Sequence, residues 1–178
     1  GLFAVSGMGH DSQGHRSGLA MVIDQDETPM FLGAIHRLLH GTRLPDLVQA
    51  AESAGAETAT IDEAEAMAAL APDTLVLTDG ARWATVRMPV PDGSAMVQLV
   101  DGMLLGALRK KPSKVTFAHS AGLALEQVRP GKVTAALLPA VDLDLVVDIV
   151  QAGGLLPEKA TSFQPKPSLG SFIRLLDE

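Results

Sequence analysis

The sequence predicts a mixed α/β (α+β) fold in a single compact domain, in which helices cross over a mixed sheet that also contains a hairpin. Three observations lead to this class. From residue 115 onward, short apolar runs alternate with segments of helical spacing, which predicts at least one parallel strand pair joined by a crossover helix. Asp79-Gly80 separates two strand-like runs, as in a hairpin turn. The chain has 178 residues, 47% of them hydrophobic, and no cysteine, so apolar burial must stabilise it without disulfides.

Strands are predicted where short runs of apolar or β-branched residues end at polar or turn-forming residues. These runs are residues 19–23, 30–35, 75–77, 83–88, 115–117, 133–138 and 171–175. The pair His36-Arg37 directly follows the second run and is placed at a strand exit. Residues 1–17 are polar and glycine-rich without a period, so we expect a flexible N-terminal segment before a domain over residues 18–178.

Helices are predicted where apolar residues recur at helical spacing between a starting residue and a glycine or proline. They cover residues 45–54, 62–70, 94–111, 123–128 and 143–152. Pro45 suits the first turn of a helix, and Ser94 and Ser120 are expected to cap the helices that follow them.

Charge and aromatic content argue against a nucleic-acid partner. A formal net charge of −7 repels phosphate backbones, and an aromatic content of 3% leaves few platforms for base stacking. The basic residues are scattered except for the run Arg109-Lys110-Lys111. No apolar run approaches the roughly 18 residues of a membrane span, and the first residues lack a basic signal-peptide region. We therefore expect a cytoplasmic protein without membrane contact.

Two catalytic patterns are present only in part. Residues 118–122 read Ala-His-Ser-Ala-Gly between a predicted strand and helix, as in a hydrolase nucleophile elbow, but no histidine follows the serine in the chain. His36 and His40 have the spacing of a metal pair on a helix, yet Gly41 and the preceding strand leave little helix, and no third ligand is evident. A histidine hydrogen-bonded to backbone is the simpler interpretation, so no metal site is predicted.

Residues 156–166 combine cations, small hydroxyls and prolines in a segment that cannot be helical. Lys159 and Lys166 supply positive charge, and Thr161 and Ser162 supply hydrogen-bond donors. Prolines in and beside the segment limit the backbone entropy that is lost when a ligand binds. The segment is therefore predicted to bind a small anionic ligand through a phosphate or carboxylate. A solvent-exposed connection with hydrated lysines is the alternative.

The same part of the sequence resembles a known family. Residues 135–139 read Ala-Ala-Leu-Leu-Pro, and residues 152–166 place Ala-Gly-Gly, Leu-Pro, Lys, Thr, Phe and Pro-Lys in the order of the C-terminal signature of the domain of unknown function 1015 family. Residues 19–24 and 33–39, the latter reading Gly-Ala-Ile-His-Arg-Leu-Leu, resemble an upstream block in the form seen in actinobacterial, and thus bacterial, members. The resemblance covers nearly all of residues 18–178.

Two differences from the family bear on activity. Full members carry a larger N-terminal portion with an Asp-Gly-His-His-Arg motif, which this sequence lacks. We therefore expect the chain to be the C-terminal portion of a longer protein, or a shortened member. Ala160 and Ser162 stand where the family has serine and tyrosine, so this segment has one hydroxyl and one phenol fewer.

The resemblance implies a phosphotransferase. The family's Asp-Gly-His-His-Arg motif is similar to that of ParB-like free-serine kinases, which implies phosphoryl transfer between ATP or ADP, with magnesium, and a small hydroxyl compound. On this hypothesis Lys159, Thr161, Lys166 and the pair His36-Arg37 contribute an anion-binding wall. The N-terminal half of the same protein, or a homo-oligomer partner, would complete the site. A non-catalytic scaffold or interaction domain is the alternative.

Overall fold

The structure, a computed structural model, describes Asp24, Glu27, Pro29 and residues 31–91 and 93–164. The predicted segment 1–17 and the predicted strands 19–23 and 171–175 lie outside these described residues. None of the helices in the described ranges is long and apolar enough to cross a membrane.

Contacts divide the chain into two units. One is Leu32–Ser162, and the other consists of Gly1–Phe31 and Phe163–Glu178. Most of the second unit lies outside the described residues. The described helices and the larger of the two sheets belong to Leu32–Ser162.

The described part of the chain alternates strands with short helices. In chain order the elements are β1 (Phe31–Ala34), β2 (His36–His40), α1 (Leu44–Ser53), β3 (Glu57–Ile61), α2 (Glu63–Ala66), β4 (Thr74–Thr78), β5 (Trp83–Arg87), α3 (Met96–Leu99), a π-helical segment (Val100–Leu104), α4 (Leu105–Ala107), β6 (Lys114–Ala118), α5 (Ala121–Leu125), β7 (Val133–Leu137), α6 (Leu143–Gln151) and β8 (Thr161–Gln164).

Six strands form a sheet in the order β3-β5-β4-β7-β2-β6, and β1 pairs with β8 in a separate two-stranded sheet. All five neighbouring pairs of the six-stranded sheet are antiparallel. β2 lies between β6 and β7, since Leu38 is opposite Thr116 on one side and Ala135 on the other.

The prediction of a mixed sheet with a parallel strand pair is therefore wrong for the six-stranded sheet, and the strand order explains why. β6 and β7 are both antiparallel to β2, so they run parallel to each other, and α5 lies in the connection between them. The alternating pattern thus indicated the direction of these two strands correctly. It could not show that β2, far earlier in the chain, is inserted between them.

Alternate residues of the central strands face two apolar clusters. Leu39 and Leu77 belong to one cluster, which also contains buried residues of α1, α3 and the π-helical segment. Leu38 and Val76 belong to the other, which contains buried residues of α2 and α5. Because successive strand residues point to opposite faces, one sheet separates both clusters. Helices and sheet together confirm the predicted α/β (α+β) class.

Several predicted local signals are confirmed. β4 and β5 form the predicted hairpin, with Thr78 opposite Trp83 and Gly80 at φ +88° in the turn. Pro45 lies in the first turn of α1. Ser120 caps α5, because its hydroxyl oxygen accepts a hydrogen bond from the Leu123 N–H at 3.2 Å.

Other local predictions are wrong. Ala95, not Ser94, precedes α3, and the Gln98 side-chain oxygen accepts from the Ala95 N–H at 2.8 Å. The helix predicted over 62–70 is reduced to the four residues of α2. The edge strand β3 was not predicted, because its mostly exposed residues show little apolar alternation.

Candidate functional site

Arg37 lies in β2, an interior strand of the six-stranded sheet, and its side chain has no solvent exposure. The predicted strand exit at His36-Arg37 is therefore wrong, because β2 begins there and runs to His40. The Arg37 guanidinium carbon is 5.2 Å from the centroid of the Phe117 ring on β6, at a distance typical of a cation–π contact.

The Arg37 guanidinium makes a hydrogen bond for each of its five N–H groups. Nε donates to Asp101 Oδ1 at 3.1 Å, and Nη2 donates to Asp101 Oδ2 at 2.8 Å and to the Glu158 carbonyl at 3.4 Å. Nη1 donates to the carbonyls of Ile35 and Lys159, both at 2.8 Å. A guanidinium has five donors and no acceptor. In this arrangement Arg37 has no N–H left for an anion, so its predicted role as a direct ligand-binding residue is not supported.

Asp101 lies in the π-helical segment, and its carboxylate forms an ion pair with the buried Arg37 guanidinium. The Asp101 side chain is 30% exposed. Single π-helical turns within helices occur frequently at functional sites. No sequence signal indicated this partner, because Asp101 is 64 positions from Arg37 and lies in a stretch that reads as an ordinary apolar helix.

The two bonds from Arg37 to the carbonyls of Glu158 and Lys159 fix the backbone of the predicted binding segment. Lys159 has φ +57°, the left-handed conformation that costs a non-glycine residue about 1–2 kcal/mol. Its carbonyl is the one that receives the 2.8 Å bond from Arg37. Lys159 is exposed, whereas Ala160 next to it is buried. Among its described residues, the segment therefore exposes the Lys159 ammonium to solvent on a backbone that Arg37 holds in place.

The two hydroxyl residues of the segment lie in different surroundings. Thr161 is half-buried at the start of β8, and its Oγ1 is buried without a hydrogen-bond partner among the described residues. Ser162 is only 3% exposed, so its predicted contact with a ligand would require the strand to move. Lys166 lies outside the described residues, and its predicted role stays a prediction.

His36 is buried next to Arg37 and is bound to the backbone of a neighbouring segment. Its Nδ1 accepts a hydrogen bond from the Leu138 N–H at 3.1 Å, which places the ring proton on Nε2. Burial, and secondly the charge of Arg37, lower the pKa of His36 to about 4. The ring is neutral at pH 7 and supplies no positive charge for an anion, so its predicted place in the anion-binding wall is not supported. The backbone-bonded histidine, the simpler of the two interpretations, describes its contacts.

His36 and His40 both lie in β2 and not on a helix. At about 3.3 Å per residue, their backbones are on the order of 13 Å apart. His40 Nε2 instead lies 2.9 Å from Thr116 Oγ1. Among the described residues, no group of three or more histidine, aspartate or glutamate side chains could hold a metal ion.

The structure thus brings together Arg37, Asp101, the carbonyls of Glu158 and Lys159, and the ring of Phe117. We call this set the Arg37 cluster. Of the predicted site residues, it joins Arg37 to Lys159 through the backbone, and it places the Lys159 side chain outward.

Comparisons with solved structures show that the chain has a known fold. No family model matches the chain, and no curated protein matches its sequence. A conserved hypothetical protein from Pyrococcus furiosus matches in structure with a TM-score of 0.56 and 13% identity, over 79% of this chain and 59% of that one. A free serine kinase in complex with AMP matches with a TM-score of 0.55 and 14% identity, over 79% of this chain and 56% of the kinase. A mutant free serine kinase in complex with ADP matches with a TM-score of 0.55 and 15% identity, over the same shares. The chain therefore spans little more than half the length of these structures, and it shares their fold.

Proposed function

We propose that the chain is part of a nucleotide-dependent phosphotransferase that acts on a small hydroxyl compound. The observation that carries this proposal is the fold shared with free serine kinases that bind AMP or ADP, over 79% of this chain. The resemblance of residues 18–178 to the domain of unknown function 1015 family points in the same direction, and we propose membership of that family as well.

The segment over residues 158–162 supports an anion-binding role within this proposal. Phosphoryl transfer depends mainly on positioning and on neutralising charge, and a lysine ammonium is a common partner of phosphate. Lys159 is exposed, and its carbonyl is fixed by Arg37 in a backbone conformation that a lysine would not adopt freely. A backbone that is ordered before the ligand arrives loses less conformational entropy on binding.

The Arg37 cluster has a positioning role in this proposal. Two of the five hydrogen bonds of Arg37 hold the backbone at Glu158 and Lys159, and the ammonium of Lys159 contacts the ligand. Catalytic groups and magnesium ligands would then come from the rest of the protein, either from a segment with an Asp-Gly-His-His-Arg motif or from a second copy.

The proposal is tested by calorimetric titration of the full chain with ATP and with ADP in the presence of magnesium. We expect saturable binding and a higher melting temperature, since a ligand at about 100 times its dissociation constant adds roughly 2.7 kcal/mol to stability. Lys159→Gln keeps a flexible polar side chain, shorter by one atom, but removes its charge, and it should weaken binding about tenfold, the size of one charge-assisted bond of roughly 1.4 kcal/mol.

Lys114→Gln is the matched control, because Lys114 is also an exposed lysine but lies on the edge strand β6. It should leave nucleotide affinity unchanged. Equal effects of the two substitutions would show that only the net charge matters. Absence of any binding would favour the scaffold or interaction domain over the phosphotransferase.

A further inference from the structure

Phe117 is an aromatic residue on the edge strand β6, and 38% of its surface is exposed. β6 ends the order of the six-stranded sheet, and in the described part of the chain no strand pairs with its outer edge. Single exposed apolar side chains are common on protein surfaces. The neighbours of this ring, and not its exposure alone, therefore decide what it can bind.

One face of the Phe117 ring is covered by Arg37. The two residues are directly opposite each other in the pairing of β6 with β2, so their side chains lie on the same face of the sheet. The Arg37 guanidinium carbon lies over the ring, 5.2 Å from its centroid. Because β2 is on one side of β6 only, the guanidinium covers the ring face that is turned toward β2. The exposed part of the ring therefore points off the edge of the sheet.

The ring rests on a guanidinium that cannot easily move. All five N–H groups of Arg37 donate within the protein, two of them to the carboxylate of Asp101. A phenylalanine side chain has only two rotatable torsions, and the cation–π contact restricts them further. The outer ring face is thus a flat apolar surface that is ordered before a ligand arrives, and this order lowers the entropy cost of binding.

The same guanidinium connects this surface to the predicted anion-binding segment. Arg37 Nη1 donates to the Lys159 carbonyl at 2.8 Å, so the Phe117 ring and the Lys159 backbone are both direct neighbours of one side chain. An exposed ring beside an exposed ammonium matches the two ends of a nucleotide. Bases stack on aromatic rings, and phosphates bind lysine ammonium groups.

We propose that the outer face of Phe117 stacks against the base of the nucleotide whose phosphates bind Lys159. This inference rests on the proposed phosphotransferase function, to which it adds the group that binds the base. A single ring accommodates a single base, in agreement with the charge and aromatic content that argue against a nucleic-acid strand. Stacking does not select one base, so ATP and GTP should lose affinity equally when the ring is removed.

The test follows the amide NMR signals of the full chain during titration with magnesium ATP, with adenosine and with inorganic tripolyphosphate. Phe117→Leu keeps an apolar side chain but removes the aromatic ring. It should weaken the binding of ATP and adenosine about tenfold, within the range measured for base stacking, and leave tripolyphosphate unchanged. Lys159→Gln should weaken ATP and tripolyphosphate but leave adenosine unchanged.

Two further variants serve as controls. Phe117→Tyr retains the ring, so it should bind ATP and adenosine as the parent chain does. Leu123→Ala removes an exposed apolar side chain from α5, which packs on the opposite face of the sheet, and it should change none of the three affinities.

The outcomes separate this inference from the proposed function. If ATP binds the parent chain and Phe117→Leu with equal affinity, the base does not stack on Phe117, and the phosphotransferase proposal is unaffected. An equal loss of ATP and tripolyphosphate in Phe117→Leu would show that the ring only supports the Lys159 segment, and it would also overturn the inference. Absence of binding by ATP and adenosine to the parent chain would overturn both proposals.

Discussion

Arg37 is a buried charge whose partners come from two distant parts of the chain and from the residue just before β2. Asp101 neutralises it, and the carbonyls of Ile35, Glu158 and Lys159 accept its remaining donors. Breaking such a pair by removing one partner leaves an uncompensated charge, whereas replacing both partners with apolar residues is often nearly neutral. The cost of removing Asp101 thus measures how much the fold depends on this cluster.

We expect Asp101→Ala to lower the free energy of unfolding by about 3 kcal/mol, near the lower end for buried pairs because Asp101 is partly exposed. Urea denaturation measures this change. The double variant Arg37→Met, Asp101→Leu should recover most of the loss, because no buried charge remains. Asp46→Ala removes the carboxylate of an exposed pair and should change the urea midpoint little. A single variant as stable as the parent chain would show that water already screens the Arg37 charge.

His36 predicts how stability depends on pH. Its pKa is about 4 in the folded protein, against an ordinary value of 6.5. Between these values the unfolded chain binds more protons at this site, so stability is complete above about pH 6.5 and is lost as the pH falls toward 4. From pH 7 to pH 5 we expect a loss of about 2 kcal/mol from this residue.

Urea unfolding at pH 7 and pH 5 measures this effect when the parent chain is compared with His36→Gln. Glutamine does not titrate, and its side-chain oxygen can accept the bond from the Leu138 N–H. The variant should therefore lose about 2 kcal/mol less than the parent chain over this interval. Equal losses in both proteins would assign the pH dependence to other groups.

The predicted site residues differ in how well their surroundings could be read from the sequence. Lys159 is exposed, which fits both the predicted ligand-binding segment and the alternative of a solvent-exposed connection. Arg37 and His36 were placed at a strand exit, facing a ligand, because charged and polar residues are normally near solvent. Their burial depends on Asp101 and Leu138, which are 64 and 102 positions away, and no local pattern contains such pairings.

At the level of single elements, the β4–β5 hairpin shows how local chemistry determines a turn. The buried Asp79 carboxylate accepts from the Ala81 and Arg82 N–H groups and from the Arg82 side chain. Gly80, which follows Asp79 in the turn, adopts the left-handed backbone conformation. The Asp-Gly pair was readable from sequence because turn preferences of this kind involve only neighbouring residues.

Gly80→Ala should destabilise the protein more than Gly55→Ala. Both glycines have positive φ, which costs alanine about 1–2 kcal/mol. A Cβ at Gly80 would also lie 2.9 Å from Val128 Cγ2, whereas one at Gly55 would meet nothing within 4 Å. Val128 is buried and stiff at χ1, so it cannot easily move aside. Thermal melts of the two variants test this order, and equal losses would mean that only the backbone conformation matters.

The predictions for the other elements succeeded where a local signal existed. Pro45 and Ser120 marked the starts of α1 and α5, since proline in a first turn and serine at a cap act within one helical turn. The sequence does not predict the strand β3, because most of its residues face solvent at the edge of the sheet. Its pairing with β5, and not its composition, makes this segment a strand.

At the level of the whole molecule, β2 joins parts of the chain that are far apart in sequence. His36 pairs with Ala118, and Arg37 pairs with Ala136 on the other side. The six-stranded sheet therefore depends on pairings between residues that are far apart in the chain. Composition and the alternation of apolar runs are local features, and they predicted the fold class. The order of the strands depends on pairings between distant residues, so it could not be predicted from them.

The strand order predicts a gradient of local stability across the sheet. Leu38 and Leu39 are fully buried in the interior strand β2, whereas β3 is a largely exposed edge strand. Native-state hydrogen exchange should show that the β2 amides exchange only on global unfolding, and that the β3 amides exchange with an opening free energy several kcal/mol lower. Equal protection of both strands would mean that the sheet opens as one unit.

All five N–H donors of Arg37 bond within the protein. When sequences of this fold are compared, a shared arginine at this position therefore reports on the scaffold. A fingerprint built on the His-Arg-Leu-Leu tetrapeptide would retrieve chains with a common scaffold, irrespective of the reaction that each performs. Substrate preference would have to be compared instead at positions that meet water, such as 159 and 117.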